Sequence, residues 1–400
     1  MRKVAFIMMW LYVFTLPWDN ILQFGDPIGS VGRVTGLLAL TSCIALVFVA
    51  GNMRRLQTFH ITAIAYLGIV TLSLFWTVDP QSSSQVIRTY VQSVMVVWLI
   101  WELGSNRSVL FHFAAAYVAG AYIGALSVFR NFSTSTLLAG AKEARFAPDG
   151  WNSNDIALAL ALAIPLALYL AANRTNWTTR CLGCGYLILG PMAIVLTSSR
   201  AGFAVTAIAL SALPLFYRRQ TATAKLVMAL VFVCAGVLAW HYTPHQSWDR
   251  LSTIYTSIVA GDLNSRELIW QSGLRTFAGN SLFGVGAGAF LSGVGANYSA
   301  HNTFLAVLVE QGTLGFSLFS VILGGAIYSI TSLKGDERWM CVFLLVCWVV
   351  GAFTLGWAMN RVTWFVLGFV VSCGNANRQT LQLPDSGASW AAEPLAAAEV

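Results

Sequence analysis

"SAHNTFLAVLVEQGTLG", Ser299–Gly315, is the stretch that decides the fold class. After His301 and Asn302 it is almost wholly apolar, without polar–apolar alternation, and the apolar run continues to about residue 331. In lipid every backbone polar group must be satisfied within its own segment, so a run of this length is a membrane-crossing helix. A barrel strand would be shorter and would alternate. Two residues exceed what a plain span needs: an imidazole at the start, His301, and a carboxylate inside, Glu310.

The rest of the chain extends this reading. Of 400 residues, 57% are hydrophobic and 10% charged, against about 25% charged in a soluble domain. The expected fold class is an all-α integral membrane protein. Apolar runs place about twelve spans at 4–18, 31–51, 59–76, 86–103, 109–129, 155–172, 181–198, 201–217, 225–240, 302–331, 339–357 and 362–374. Residues 1–374 form one polytopic domain, and 375–400 are expected to be a cytoplasmic, disordered tail. "MRKVAFIMMWLYVF" reads as a retained first helix, because no A-x-A-like cleavage site follows it. All seven cysteines lie in or beside apolar runs. Cys181 and Cys184 form a C-x-x-C with no second cluster, so packing is the better account than redox or metal chemistry.

Lysines and arginines in the short loops set the orientation. Arg2 and Lys3, Arg54 and Arg55, Arg107, Arg174 and Arg180, Arg218, Arg219 and Lys225, Lys334 and Arg338, and Arg378 all fall on one side. That side is expected to be cytoplasmic, with both termini. Positive charge on the other side, almost all arginine, works against the rule. Pairing with outer carboxylates would account for most of it. The formal charge of +7 is loop charge and implies no nucleic-acid partner.

Residues 241–301 form the long outer loop, a length that usually marks function or disorder. Within it "LNSRELIWQSGLRTFAGN" predicts a short helix, with Asn264 and Glu267 as a capping box and Gly279-Asn280 as the stop. Arg266 and Trp270 share a face at i,i+4 spacing. The glycines of "LFGVGAGAF" resemble a phosphate cradle. No strand precedes them and no K-S/T follows, so a tight re-entry into the membrane is the better account.

His301 opens the tenth span. Either Asn302 or Ser299 caps the helix with His301 at headgroup level, or His301 is a general base, its pKa of about 6.5 leaving it largely neutral at pH 7. Glu310 lies about 13 Å further along and half a turn round, so it cannot orient His301. Packing or a buried hydrogen bond is its expected task. Gly312 and Gly315 suit close helix approach. Arg200, in "LTSSRAGF", sits where one span ends and the next begins; at that depth it needs an anion, and its planar fork matches phosphate. Arg266 begins a helix whose dipole adds to the same field. No D-x-D or metal-spaced cluster faces outward. A diphosphate there would need arginine in place of metal.

Together "SSRAG", "SRELIW" with "LFGVGAGAF", and "HNTFL" followed by Glu310, Gly312 and Gly315 resemble the O-antigen ligase and polymerase superfamily. The resembling block covers about 198–315. The resemblance implies a GT-C-type membrane glycosyltransferase with no cofactor, in the bacterial inner membrane, with its active site on the periplasmic side. It implies a donor glycan on undecaprenyl diphosphate, a base role for His301 and diphosphate contacts from Arg200 and Arg266. Arg145 and Lys142, in the outer segment 131–154, are expected to meet diphosphate or acceptor phosphates. Lipid A–core as acceptor makes the chain an O-antigen ligase. An O-antigen polymerase, a protein O-oligosaccharyltransferase and, from another class, a transporter of lipid-linked glycan are the alternatives. A transporter predicts a charged path across the bilayer, whereas the ionisable residues gather at the outer face.

Overall fold

The computed structural model describes residues 1–25, 29–137, 145–148, 150–173, 176–218, 220–245, 247–250, 252, 266–295 and 299–382. The described residues are helical, with no strands. The helices are α1 (Arg2–Thr15), α2 (Val31–Ala50), α3 (Thr58–Leu72), α4 (Pro80–Leu103), α5 (Arg107–Leu137), α6 (Ser153–Ala172), α7 (Trp177–Leu196), α8 (Arg200–Leu210), α9 (Leu213–Tyr217) and α10 (Ala222–Tyr242). They continue as α11 (Arg266–Gly279), α12 (Phe290–Val294), α13 (Thr303–Ile330), α14 (Gly335–Ala352) and α15 (Arg361–Gln382). Each expected span coincides with a helix, the eighth divided between α8 and α9. Among the described residues, eight stretches are long and apolar enough to cross a membrane, against the expected number of about twelve. The protein is an all-α integral membrane protein. Its last expected span, 362–374, continues to Gln382, so the first part of the supposed tail is helix. Residues 383–400 lie outside the described residues.

Helix α6 is the centre. Its run "IALALALAIPLALYLAA" is buried along almost its whole length and packs against α5, α7, α8 and α14. Small and large apolar residues alternate along it, so neighbouring helices approach closely: a Cβ on Gly183 of α7 would lie 2.5 Å from the Ala167 carbonyl, and one on Gly351 of α14 would lie 2.4 Å from the Leu158 side chain. At the periphery, Leu37, Phe48 and Val49 of α2 and Leu226, Leu230 and Val233 of α10 are exposed. Apolar patches of that kind need an apolar surrounding.

The connections divide between two ends. At one lie the α2–α3, α4–α5 and α13–α14 turns and the end of α15. There Arg54 donates to the Trp101 carbonyl and stacks on the Trp101 ring at 3.9 Å. Arg107 pairs with Glu337 at 3.4 Å and donates to Asn377, while Gln57 donates to Asn375 at 2.6 Å. At the other end lie the α1–α2 and α3–α4 turns, the starts of α6, α8, α11 and α13, and the α14–α15 turn. The candidate site is built there.

Helix α13 is not one continuous helix. Gly312 adopts φ 64°, ψ −167° inside it. Residues 281–290 thread into the break: Thr313 N–H donates to the Ser281 carbonyl at 2.8 Å, Val285 N–H to Val309 at 3.0 Å, and Gly286 N–H to Glu310 at 2.8 Å. A Cβ on Gly312 would lie 2.3 Å from the Leu282 carbonyl, and one on Gly284 would lie 2.4 Å from the Glu310 backbone. Gly312 therefore admits a loop, not a neighbouring helix, which corrects the expectation of helix–helix approach at that position.

Candidate functional site

The site begins with three helix starts. Ser199 caps α8 by accepting from Gly202 N–H at 3.1 Å, which places Arg200 in the first turn, half-buried. Helix α8 lies tightly on α6, for Gly202 has no room for a Cβ beside Ala157. Ser199 also donates to the Asn154 amide oxygen at 2.8 Å, and Arg145 donates to the same oxygen at 3.1 Å. Asn154 thus ties Arg145 to the turn carrying Arg200. Lys142 lies outside the described residues, as does Asn264, so the expected capping box is described only at Glu267.

Helix α11 is described from Arg266, where the described residues resume, and stops at Gly279, as the sequence pattern anticipates. Trp270, one turn after Arg266, donates its indole N–H to the Ala300 carbonyl at 2.9 Å. Around this bond Val285, Phe290, Leu305 and Val309 form a small apolar cluster with Ile269 and Trp270 packed against it. The cluster fixes the α11 start beside the residue preceding His301.

Asn302, not Ser299, caps α13, accepting from Phe304 N–H at 3.0 Å and Leu305 N–H at 3.1 Å. The imidazole of His301 is therefore not needed as a cap. Thr303 donates to the Leu355 carbonyl at 2.6 Å and accepts from Trp357 N–H at 2.8 Å. His301 is held between two anchored points with φ 45°, and Ser198, two residues before Arg200, has φ 51°. No other non-glycine residue among the described ones has positive φ. Such a conformation costs roughly 1–3 kcal/mol and persists only where the surroundings over-determine it. Ser198 also donates to Ser247 at 2.8 Å, tying this turn to the segment after α10.

The three residues are electrostatically linked. Burial, and then the neighbouring Arg200 charge, hold the Arg266 guanidinium below its ordinary pKa. Burial, and then the Arg266 charge, hold the His301 imidazole below its ordinary value. Residues about a hundred positions apart in sequence are thus gathered close enough for Arg200 to act on Arg266 and for Arg266 to act on His301.

The glycine-rich loop does not serve as a phosphate cradle. Gly288 N–H donates to the Glu310 carboxylate at 2.9 Å, and Ala287 N–H to Ser73 Oγ at 3.0 Å. With Gly286 N–H also bound to Glu310, the loop's donors are consumed inside the protein. Glu310 accordingly has the buried hydrogen bond expected of it.

Sequence reasoning left Asn154 and Ser198 without roles. "NSND" at the start of α6 looks like capping residues, and Asn152 does cap, accepting from Asn154 N–H at 2.9 Å. The second amide's task depends on a neighbour forty-five positions away.

The class defined so far is a multi-pass, all-helical membrane protein with arginines and a histidine brought together at one end. A family model described as O-antigen ligase matches residues 185–320. The match spans α7 to α13 and includes Arg200, Arg266 and His301. No curated protein matches the chain.

Proposed function

We propose that the protein is an O-antigen ligase of the bacterial inner membrane, with a GT-C-type fold, both termini cytoplasmic and its site on the periplasmic side. The observation that carries this reading is the gathering of Arg200, Arg266 and His301 at one end of the helices. Both guanidiniums are half-buried, Arg200 disfavours the charge of Arg266, and two planar forks side by side match the oxygens of a diphosphate. The starts of α8 and α11 add their dipoles. The donor is a glycan on undecaprenyl diphosphate and the acceptor a sugar hydroxyl of lipid A–core.

In this reading His301 takes the proton from the acceptor hydroxyl. The hydroxyl oxygen forms its bond to the anomeric carbon opposite the diphosphate. The bond from that carbon to the diphosphate oxygen breaks, and its electron pair stays on the diphosphate, inverting the configuration. Arg200 and Arg266 stabilise the developing negative charge. A neutral imidazole at pH 7 suits the base role, and its environment favours that form. Arg145, held by Asn154 beside this turn, and Lys142 would meet phosphates of donor or acceptor.

The test is purified protein given polyprenyl-diphosphate glycan with and without lipid A–core. Joining of the two substrates, with no lengthening of the donor alone, is the expected result. Polymer growth on the polyprenyl carrier without lipid A–core would replace the ligase reading with a polymerase.

A further inference from the structure

A second cavity opens at the same end, away from the arginine pair. The α1–α2 connection, the turn before α6 and the α14–α15 connection enclose about 480 Å³, within the range of about 300–1,000 Å³ typical of small-ligand pockets. Its lining is polar and fixed. Asp19 accepts from Gly32 N–H at 2.8 Å and pairs with Arg361. Arg361 also donates to the Gln92 side chain at 2.7 Å. The Trp357 indole donates to Asp155 at 2.7 Å. Trp151 also lines the space, and its indole N–H has no hydrogen-bond partner among the described residues. Asn20, Gln23 and Arg33 are exposed at the rim.

This lining selects a chemistry. An acyl chain would leave the buried Asp19–Arg361 pair facing hydrocarbon, which is unfavourable. A bare anion would meet the carboxylates of Asp19 and Asp155 as well as Arg33 and Arg361, so the lining offers it no net positive charge. A pyranose ring offers apolar C–H faces to an indole and hydroxyl edges to amides and carboxylates, each hydroxyl both donor and acceptor. The pocket also shares a wall with the transfer site. Asp155 follows Asn154, which holds the Ser199–Arg200 turn, and Trp357 is fixed by Thr303, two residues after His301.

We propose that this pocket is a saccharide subsite, holding a sugar unit that flanks the bond being made. The proposal rests on the glycan-transfer reading. The Trp151 ring meets the C–H face of the sugar and the rim amides recognise its hydroxyls, and the unit held belongs either to the donor glycan or to the acceptor core.

The test uses full-length protein in detergent, with delipidated core oligosaccharide and carrier-released glycan as soluble probes. Saturation-transfer NMR should show one of these sugars contacting wild-type protein and also His301→Ala, which has no base. Trp151→Ala should lose the signal. In steady-state transfer, Trp151→Ala and the exposed Gln23→Ala should raise KM for that same substrate, Trp151→Ala by about tenfold, as expected for a lost ring contact, with kcat little changed. The arm whose KM moves identifies the source of the sugar. Sugar binding that depends on Trp151, in a protein that transfers nothing, would support the subsite and remove the transfer reading. Active enzyme whose sugar signal and both KM values are untouched in Trp151→Ala and Gln23→Ala would overturn the subsite.

Discussion

Two groups of arginines, one at each end of the helical bundle, differ in the charges they stand beside. At the α4–α5 end, charge is answered within the chain: Arg107 by Glu337 and Asn377, Arg54 by the Trp101 carbonyl and ring. At the other end Arg200 stands close enough to Arg266 to disfavour its charge, and Arg266 does the same to His301. The two positive-φ side-chain-bearing residues, Ser198 and His301, lie at this end also. A fold gains no stability from like charges and strained backbone. Their concentration around His301 supports the transfer site proposed there, whereas the opposite end is finished in the sense that Arg107 and Glu337 answer each other.

The difference is broken most directly at His301. His301→Ala should lower transfer by about 10²–10⁴-fold, the usual contribution of a general base, while insertion and amounts stay normal. Lipopolysaccharide ladders and an in vitro assay read this, and full activity in a well-made variant removes the base assignment. Arg200→Ala and Arg266→Ala come next, each expected to lower transfer by about 10²–10³-fold, comparable with loss of a charge-stabilising donor. Lysine at either position should recover only part, since it keeps the charge and loses the fork. Fully active lysine variants would mean that a general field suffices. If arginines alone answer the diphosphate, EDTA should leave the rate unchanged, and restoration by magnesium of a chelated, inactive enzyme would contradict that.

The finished end should respond differently. Arg107→Ala removes a pair whose arginine side chain is 48% exposed but whose Glu337 partner is only 18% exposed, so its effect on stability should be about 1–3 kcal/mol. Transfer per folded molecule should stay near wild type. A large drop in kcat there would show that the two ends are not separable.

Much of this was readable in the sequence because membrane helices declare themselves by length and composition. The paired arginines and His301 were readable because each is costly where it stands. What the chain hid was long-range and backbone-borne. The break at Gly312 depends on carbonyls of residues 281 and 282, and neither helical period nor glycine spacing distinguishes a threaded loop from a neighbouring helix. Asn154 resembles a capping residue until Ser199 and Arg145 converge on it. The pocket beside Asp19 is assembled from three connections separated by more than a hundred residues each, so no local pattern announces it.

The smallest expected effect is also the most diagnostic of the coupling. With His301 as the proposed base, its neutral form is the active one, so activity should be full above its pKa in the folded protein and lost as pH falls through it. Burial, and secondly the Arg266 charge, place that pKa below the ordinary histidine value. The acid limb of kcat/KM for wild type should therefore lie below about pH 6.5. Arg266→Gln removes the second cause and leaves the first. In the residual activity of that variant the acid limb should move to higher pH, yet remain at or below about 6.5, because burial still disfavours the imidazolium. Arg107→Gln, at the finished end, should leave the limb where it is. A limb that ignores Arg266→Gln would separate His301 from the arginine pair and assign the titration to another group. A limb that moves with Arg107→Gln would show that charge is sensed across the whole bundle instead of within one site.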